Sequence, residues 1–167
     1  MKVLFVIDVQ PVFLTSNNLK KIPNKILNHI DSNKYDYIFS FGFLNINNSP
    51  FIRFWNWKKC FSNSKESQLF EQIAKKSNFI IWKHGFSCYN QELKEKLKQI
   101  NFDQSKDKIY LCGLDTDVCI LATCLDLFIN NYDIYLLSRL CGSDRGKAYH
   151  KAGLKSISHI ITNKKLI

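Results

Sequence analysis

Val3-Leu4-Phe5-Val6-Ile7 runs directly into Asp8-Val9-Gln10-Pro11. The run is apolar throughout, rich in β-branched residues and too short for an ordinary helix. With no polar alternation, it reads as a strand buried on both faces, the habit of parallel strands covered by helices. Similar runs follow at Tyr37 to Phe43, Phe79 to Trp82, Lys108 to Cys112, Ile134 to Leu137 and His159 to Thr162. Between them, Ile22 to Ile30, Ser67 to Lys76, Gln91 to Ile100, Val118 to Asn130 and Lys147 to Ser156 place apolar residues near a 3.6-residue period. The alternation predicts an α/β protein, a three-layer α/β/α arrangement around a mostly parallel six-stranded sheet of Rossmann-like topology. A length of 167 residues fits one domain, residues 1–167.

Composition narrows the function. With 46% hydrophobic and 14% aromatic residues the chain can bury a substantial core. The formal charge of +10 is spread in ones and twos, as at Lys20-Lys21, Lys58-Lys59, Lys75-Lys76 and Lys164-Lys165. Such a pattern speaks for solubility and general attraction of anions, not for a specific nucleic-acid surface. The first apolar run is cut by Asp8 too early for a secretory leader, and no uncharged stretch is long enough for a membrane span, so a cytoplasmic protein is expected. The six cysteines form no CxxC and should be reduced thiols; with the four histidines they make neither a zinc-finger spacing nor HExxH.

In an open parallel sheet the ligand crevice lies beyond the carboxyl ends of the strands, so polar residues at those ends are the candidates for chemistry. Asp8 ends the first run. Lys83 ends Phe79 to Trp82, and the His84 that follows should point the other way along an extended chain. After Lys108 to Cys112, the stretch Gly113-Leu114-Asp115-Thr116-Asp117-Val118-Cys119 carries a cysteine into a helix start, where unpaired N–H groups and the helix dipole favour a thiolate. Singly, a capping Asp, a snorkelling Lys and a buried Cys are the plainer readings. Together they supply a nucleophile, a proton acceptor and a cation in one crevice.

These residues, in this order and strand context, resemble the isochorismatase-like hydrolase superfamily, which includes nicotinamidases and N-carbamoylsarcosine amidase. The resemblance rests on Asp8-Val9-Gln10, Lys83 with Phe86-Ser87, and Gly113 to Cys119, with a weaker echo at His150 to Leu154 and Ile160 to Thr162. It implies Asp8, Lys83 and Cys119 as catalytic residues, a cis peptide at Leu114-Asp115, and an oxyanion hole at the N–H groups of Asp115 and Cys119. Phe13, Phe86 and Asp117 would line the substrate pocket. The Asp-x-His metal motif of nicotinamidases is missing from Phe41 to Ser49, so no metal and no cofactor are expected. The implied activity is metal-independent hydrolysis of an amide-type C–N bond in a small molecule through a Cys119 intermediate. Two other readings stay open: vinyl-ether hydrolysis of the isochorismatase type, and a non-catalytic member that binds a ligand or partner. Members often assemble, and Phe51 to Trp57 offers a homo-oligomer interface.

Two further stretches invite a reading. Gly142-Ser143-Asp144-Arg145-Gly146-Lys147-Ala148 is one residue short of a P-loop and lacks its Ser or Thr, so it is read as a surface turn opening the last helix. No GxGxxG follows the first strand, which argues against a dinucleotide site. The aromatics Phe51, Phe54, Trp55 and Trp57 are read as core.

Overall fold

The computed structural model describes residues 1–167. Its sheet is built from β1 (Lys2–Ile7), β2 (Tyr37–Phe43), β3 (Phe79–Lys83), β4 (Lys108–Gly113) and β5 (Asp133–Cys141), in the order β3-β2-β1-β4-β5. Every pairing is parallel. β1 lies at the centre and is buried along its length except at Lys2, as its unbroken apolar run requires.

The helices are α1 (Ile22–Ser32), α2 (Pro50–Trp55), α3 (Glu71–Lys76), α4 (Gln91–Gln99), α5 (Leu121–Ile129) and α6 (Lys147–Ile161). Helix α1 buries Ile22, Ile26, Leu27 and Ile30, a single stripe at helical spacing, and packs on α3. Helices α5 and α6 pack together, and α5 also covers β5. Parallel strands are almost always joined by right-handed crossovers; with the order β3-β2-β1-β4-β5 this rule sets α1 and α3 on one face and α4 and α5 on the other, in keeping with the packing of α1 on α3. Asn90 starts α4 by accepting the Leu93 N–H on its side chain at 2.9 Å.

The sheet has five strands where the sequence suggested six. His159 to Ile161 continue α6 instead, because Gly153, Ile157 and Ile161 fall at four-residue spacing and bury one helical stripe. The chain regains extended structure only at Leu166, which makes an isolated bridge to Leu136. Helix α3 is also shorter than the Ser67 to Lys76 reading, with a 3₁₀ turn at Lys65–Ser67 before it. Helix α2 falls inside a stretch read only as aromatic. Pro50 opens it and Ser49 caps it by accepting the Ile52 N–H.

The chain leaves β1 toward β2 and β3, then crosses to β4 on the opposite side of β1. This reversal places a topological switch point at the carboxyl ends of β1 and β4, where α/β folds hold their ligands. No helix is long and apolar enough to cross a membrane.

Candidate active site

Three strand ends converge at the switch point. Asp8 follows β1 in a left-handed conformation, φ 52°, with its N–H donating to Phe41 O at 2.9 Å. Gln10 braces the same corner. Its side-chain amide donates to Phe43 O and Ser67 O, and its Oε1 accepts the Phe43 N–H. Register pairs Phe43 of β2 with Lys83 of β3, so Lys83 lies one strand beyond β2 and its long side chain reaches back over the Phe43 ring. Its Nζ stands 2.8 Å from Asp8 Oδ2 and donates to Gly85 O at 3.0 Å and Cys119 Sγ at 3.5 Å. His84 is exposed and turned toward Leu44 O, away from this cluster.

Cys119 is carried by a π-helical turn, Thr116–Ile120, that leads into α5. Gly113 makes the turn possible: at φ 119°, any Cβ there would stand 2.1 Å from Ile7 O. The next peptide, Leu114-Asp115, is cis. Val118 and Ile120 both donate their N–H groups to Asp115 O, while the Asp115 N–H has no acceptor among the backbone bonds of the loop. Behind the turn, α6 packs so closely at Gly153 that a Cβ would lie 2.8 Å from the Asp117 backbone. Thr116 Oγ lies 2.8 Å from His150 Nδ1 and donates to Gly142 O, tying the turn to α6 and to the end of β5.

The electrostatics follow from near-complete burial. Asp8 and Lys83 are 1% and 2% exposed. Burial raises the Asp8 carboxyl above its ordinary value, and the Lys83 ammonium only partly offsets this. Burial opposes charge on Lys83, but Asp8 and the Cys119 sulfur outweigh it and hold the ammonium in its charged form. Their contact is a fully buried ion pair, and the Cys119 thiol neighbours the same carboxylate. The sequence suggested a thiolate at a helix start. Instead burial, and then the Asp8 charge, push the Cys119 thiol well up, so the resting sulfur holds its proton beside a carboxylate that can take it.

A cavity of about 340 Å³ opens on Cys119. Phe13 and Phe86 line it, and Asp117 does not. The π turn directs Asp115, Val118 and Cys119 to the crevice and sets Asp117 against α6. Phe51 is core, as read, and packs with Phe43; it also forms a wall of the cavity together with Trp55 and Trp57. Lys59, Asp144 and Arg145 also line the cavity. The last two come from the turn before α6, and their contribution depends on a loop packing that carries no signal in the sequence.

Residues 2–164 match the isochorismatase domain family. The chain belongs to the isochorismatase family. Among curated relatives, isochorismatase domain-containing protein 2 of Xenopus laevis is 38% identical over 61 residues, 36% of this chain and 28% of that protein. Isochorismatase family protein 2A of Dictyostelium discoideum is 34% identical over 96 residues, 57% of this chain and 43% of that protein. The chain thus aligns with less than half the length of either relative. The fold matches the nicotinamidase PncA of Bacillus subtilis with a TM-score of 0.79 at 19% identity, covering 99% of this chain and 98% of that one. It matches the zinc-bound pyrazinamidase of Pyrococcus horikoshii with a TM-score of 0.77 at 21% identity, covering 95% and 94%. At such identities these structures speak for the fold alone.

A divalent ion, as in the Pyrococcus protein, does not fit the donors present after β2. Asn45 Oδ1 accepts from Ser49 Oγ and the Ile46 N–H, and its amide nitrogen donates to Trp57 O and Lys59 O. No three His, Cys, Asp or Glu side chains gather to hold a metal.

Proposed function

We propose that this isochorismatase-family protein hydrolyses an amide-type C–N bond of a small planar molecule through a covalent intermediate on Cys119. The observation that carries this reading is the buried cluster of Asp8, Lys83 and Cys119, with Lys83 Nζ 2.8 Å from the carboxylate and 3.5 Å from the sulfur. Asp8 accepts the Sγ proton as sulfur bonds to the carbonyl carbon. The oxygen gains negative charge next to the N–H groups of Asp115 and Cys119, which serve as its donors. When the tetrahedral intermediate collapses, the C–N bond breaks and Asp8 returns its proton to the departing nitrogen. Water, giving a proton to Asp8, then attacks the thioester, and the acid product leaves as the thiol is restored. Lys83 stays charged throughout and balances the carboxylate and the transient thiolate.

The aromatic wall suits a flat acyl group, because rings present large apolar faces to a planar ligand. The test is a panel of small primary amides assayed for ammonia release by the natural protein and by Cys119→Ala. Substitution should lower the rate by about 10³-fold or more, and intact-mass analysis of the natural protein should show an acyl adduct on Cys119. Hydrolysis that persists in Cys119→Ala would refute the nucleophile. Turnover without an adduct, combined with cleavage of a vinyl ether, would favour the isochorismatase-type reaction.

A further inference from the structure

We propose that Thr123 is a positioning residue: its hydroxyl ties the segment after β3 to the nucleophile helix and so sets the distance between Lys83 Nζ and Cys119 Sγ. The inference rests on the roles given to Lys83 and Cys119 above and adds the residue that holds them to each other. Thr123 lies one turn after Cys119, in α5, and is fully buried. Its Oγ donates to Cys119 O at 2.7 Å, a local bond that helical threonines often make. The same oxygen accepts the Cys88 N–H at 3.1 Å, and this second bond is not local. It joins two elements that meet only at the site.

The segment gives that bond its consequence. Lys83 Nζ donates to Gly85 O at 3.0 Å, so the ammonium is held by the backbone of the stretch that also carries Cys88. Among the backbone N–H groups of residues 84–90, that of Cys88 alone is donated to another element; Tyr89 and Asn90 donate within the stretch. A ring of contacts therefore runs from Cys119 O through Thr123 Oγ to Cys88, along the segment to Gly85 O and Lys83 Nζ, and back to Cys119 Sγ at 3.5 Å. A hydroxyl closes this ring at hydrogen-bond distances, and a methyl does not. In Thr123→Val, which keeps the size, van der Waals contacts of about 3.5–4.0 Å replace both bonds and drive helix and segment apart by about 1 Å. The buried Cys88 N–H loses its acceptor. With an effective dielectric of about 20, moving the ammonium from 3.5 Å to about 4.5 Å from the sulfur weakens its hold on a thiolate about sixfold.

The test follows alkylation of Cys119 by iodoacetamide, read by mass mapping of the Cys119 peptide; it requires the thiolate and no turnover. Thr123→Val should react about sixfold more slowly than the natural protein at the same alkaline pH, whereas Thr123→Ser, which keeps the hydroxyl, should stay within about twofold. A residue that acts through Lys83 loses its effect when Lys83 is gone. In the Asp8→Asn, Lys83→Met background, adding Thr123→Val should change the alkylation rate by less than about twofold, while a general loosening of α5 would act equally with and without Lys83. An unchanged or faster rate in Thr123→Val, a loss in Thr123→Ser as large as in Thr123→Val, or a Thr123→Val effect that persists without Lys83 would each overturn the proposal. Thr123→Ala takes the place of Thr123→Val if the latter does not fold; failure of both to fold would make the hydroxyl an architectural bond only and overturn it as well. Small amides that are not cleaved would remove the proposed reaction and leave the role of Thr123 standing.

Discussion

Replacing Lys83 by Met removes the ammonium from a pocket where it is 2% exposed and keeps a similar volume. Its partner is then left as a buried carboxylate with no cation. At 2.8 Å the pair attracts by roughly 6 kcal/mol with an effective dielectric of about 20. Desolvation offsets part of this, and breaking one side of such a pair costs about 3–5 kcal/mol. In a domain of this size the loss corresponds to roughly 6–20 °C in Tm. Asp8→Asn alone should also destabilise, by stranding the ammonium. The double variant, Asp8→Asn with Lys83→Met, should recover most of the loss, giving a coupling of about 2 kcal/mol or more. Urea unfolding followed through Trp55, Trp57 and Trp82 measures all three variants. The pH dependence has a definite sign in Lys83→Met. The folded-state pKa of Asp8, already raised by burial, rises further without Lys83, so the folded state binds its proton more tightly than the unfolded chain does. The variant should therefore be most stable below the ordinary carboxylate pKa and lose stability as pH rises toward the raised Asp8 value. Additive losses in the double variant, or a Lys83→Met stability that increases with pH across that window, would refute the reasoning.

Other outcomes follow from the same geometry. The acidic limb of kcat/KM should lie above the ordinary carboxylate range of about 4, because Asp8 must be unprotonated to accept the thiol proton and its pKa is raised; a limb at or below 4 would remove Asp8 as the base. Lys83 is held charged by Asp8 against the effect of burial, so no loss of activity from its deprotonation should appear up to pH 9 in a rate profile. Gly153→Ala would place a Cβ 2.8 Å from the Asp117 backbone. Moving α6 off the nucleophile turn should cost about 1–3 kcal/mol in unfolding experiments and lower kcat more than it changes KM; an unchanged stability would show that the helix yields freely.

The linear order of residues was enough to establish the α/β class, the central buried strand and the three charged or nucleophilic strand ends. Each of these depends on local rules: an apolar run of strand length, a polar residue at its end, a glycine and a helix start around Cys119. The sixth strand failed for a local reason too: His159 to Thr162 offers only the short apolar pair Ile160-Ile161, while Gly153, Ile157 and Ile161 form a helical stripe that α6 buries. Tertiary structure alone decided the rest. The protonation of Cys119 depends on burial that no neighbour in sequence reports, and it reversed the expectation of a thiolate. Asp117 and Asp115 sit two residues apart, yet the π turn sends one against α6 and the other to the cavity. Arg145 and Trp55, ninety residues apart in sequence, meet only when the chain closes over the switch point, because side-chain direction at a loop is set by what packs beneath it.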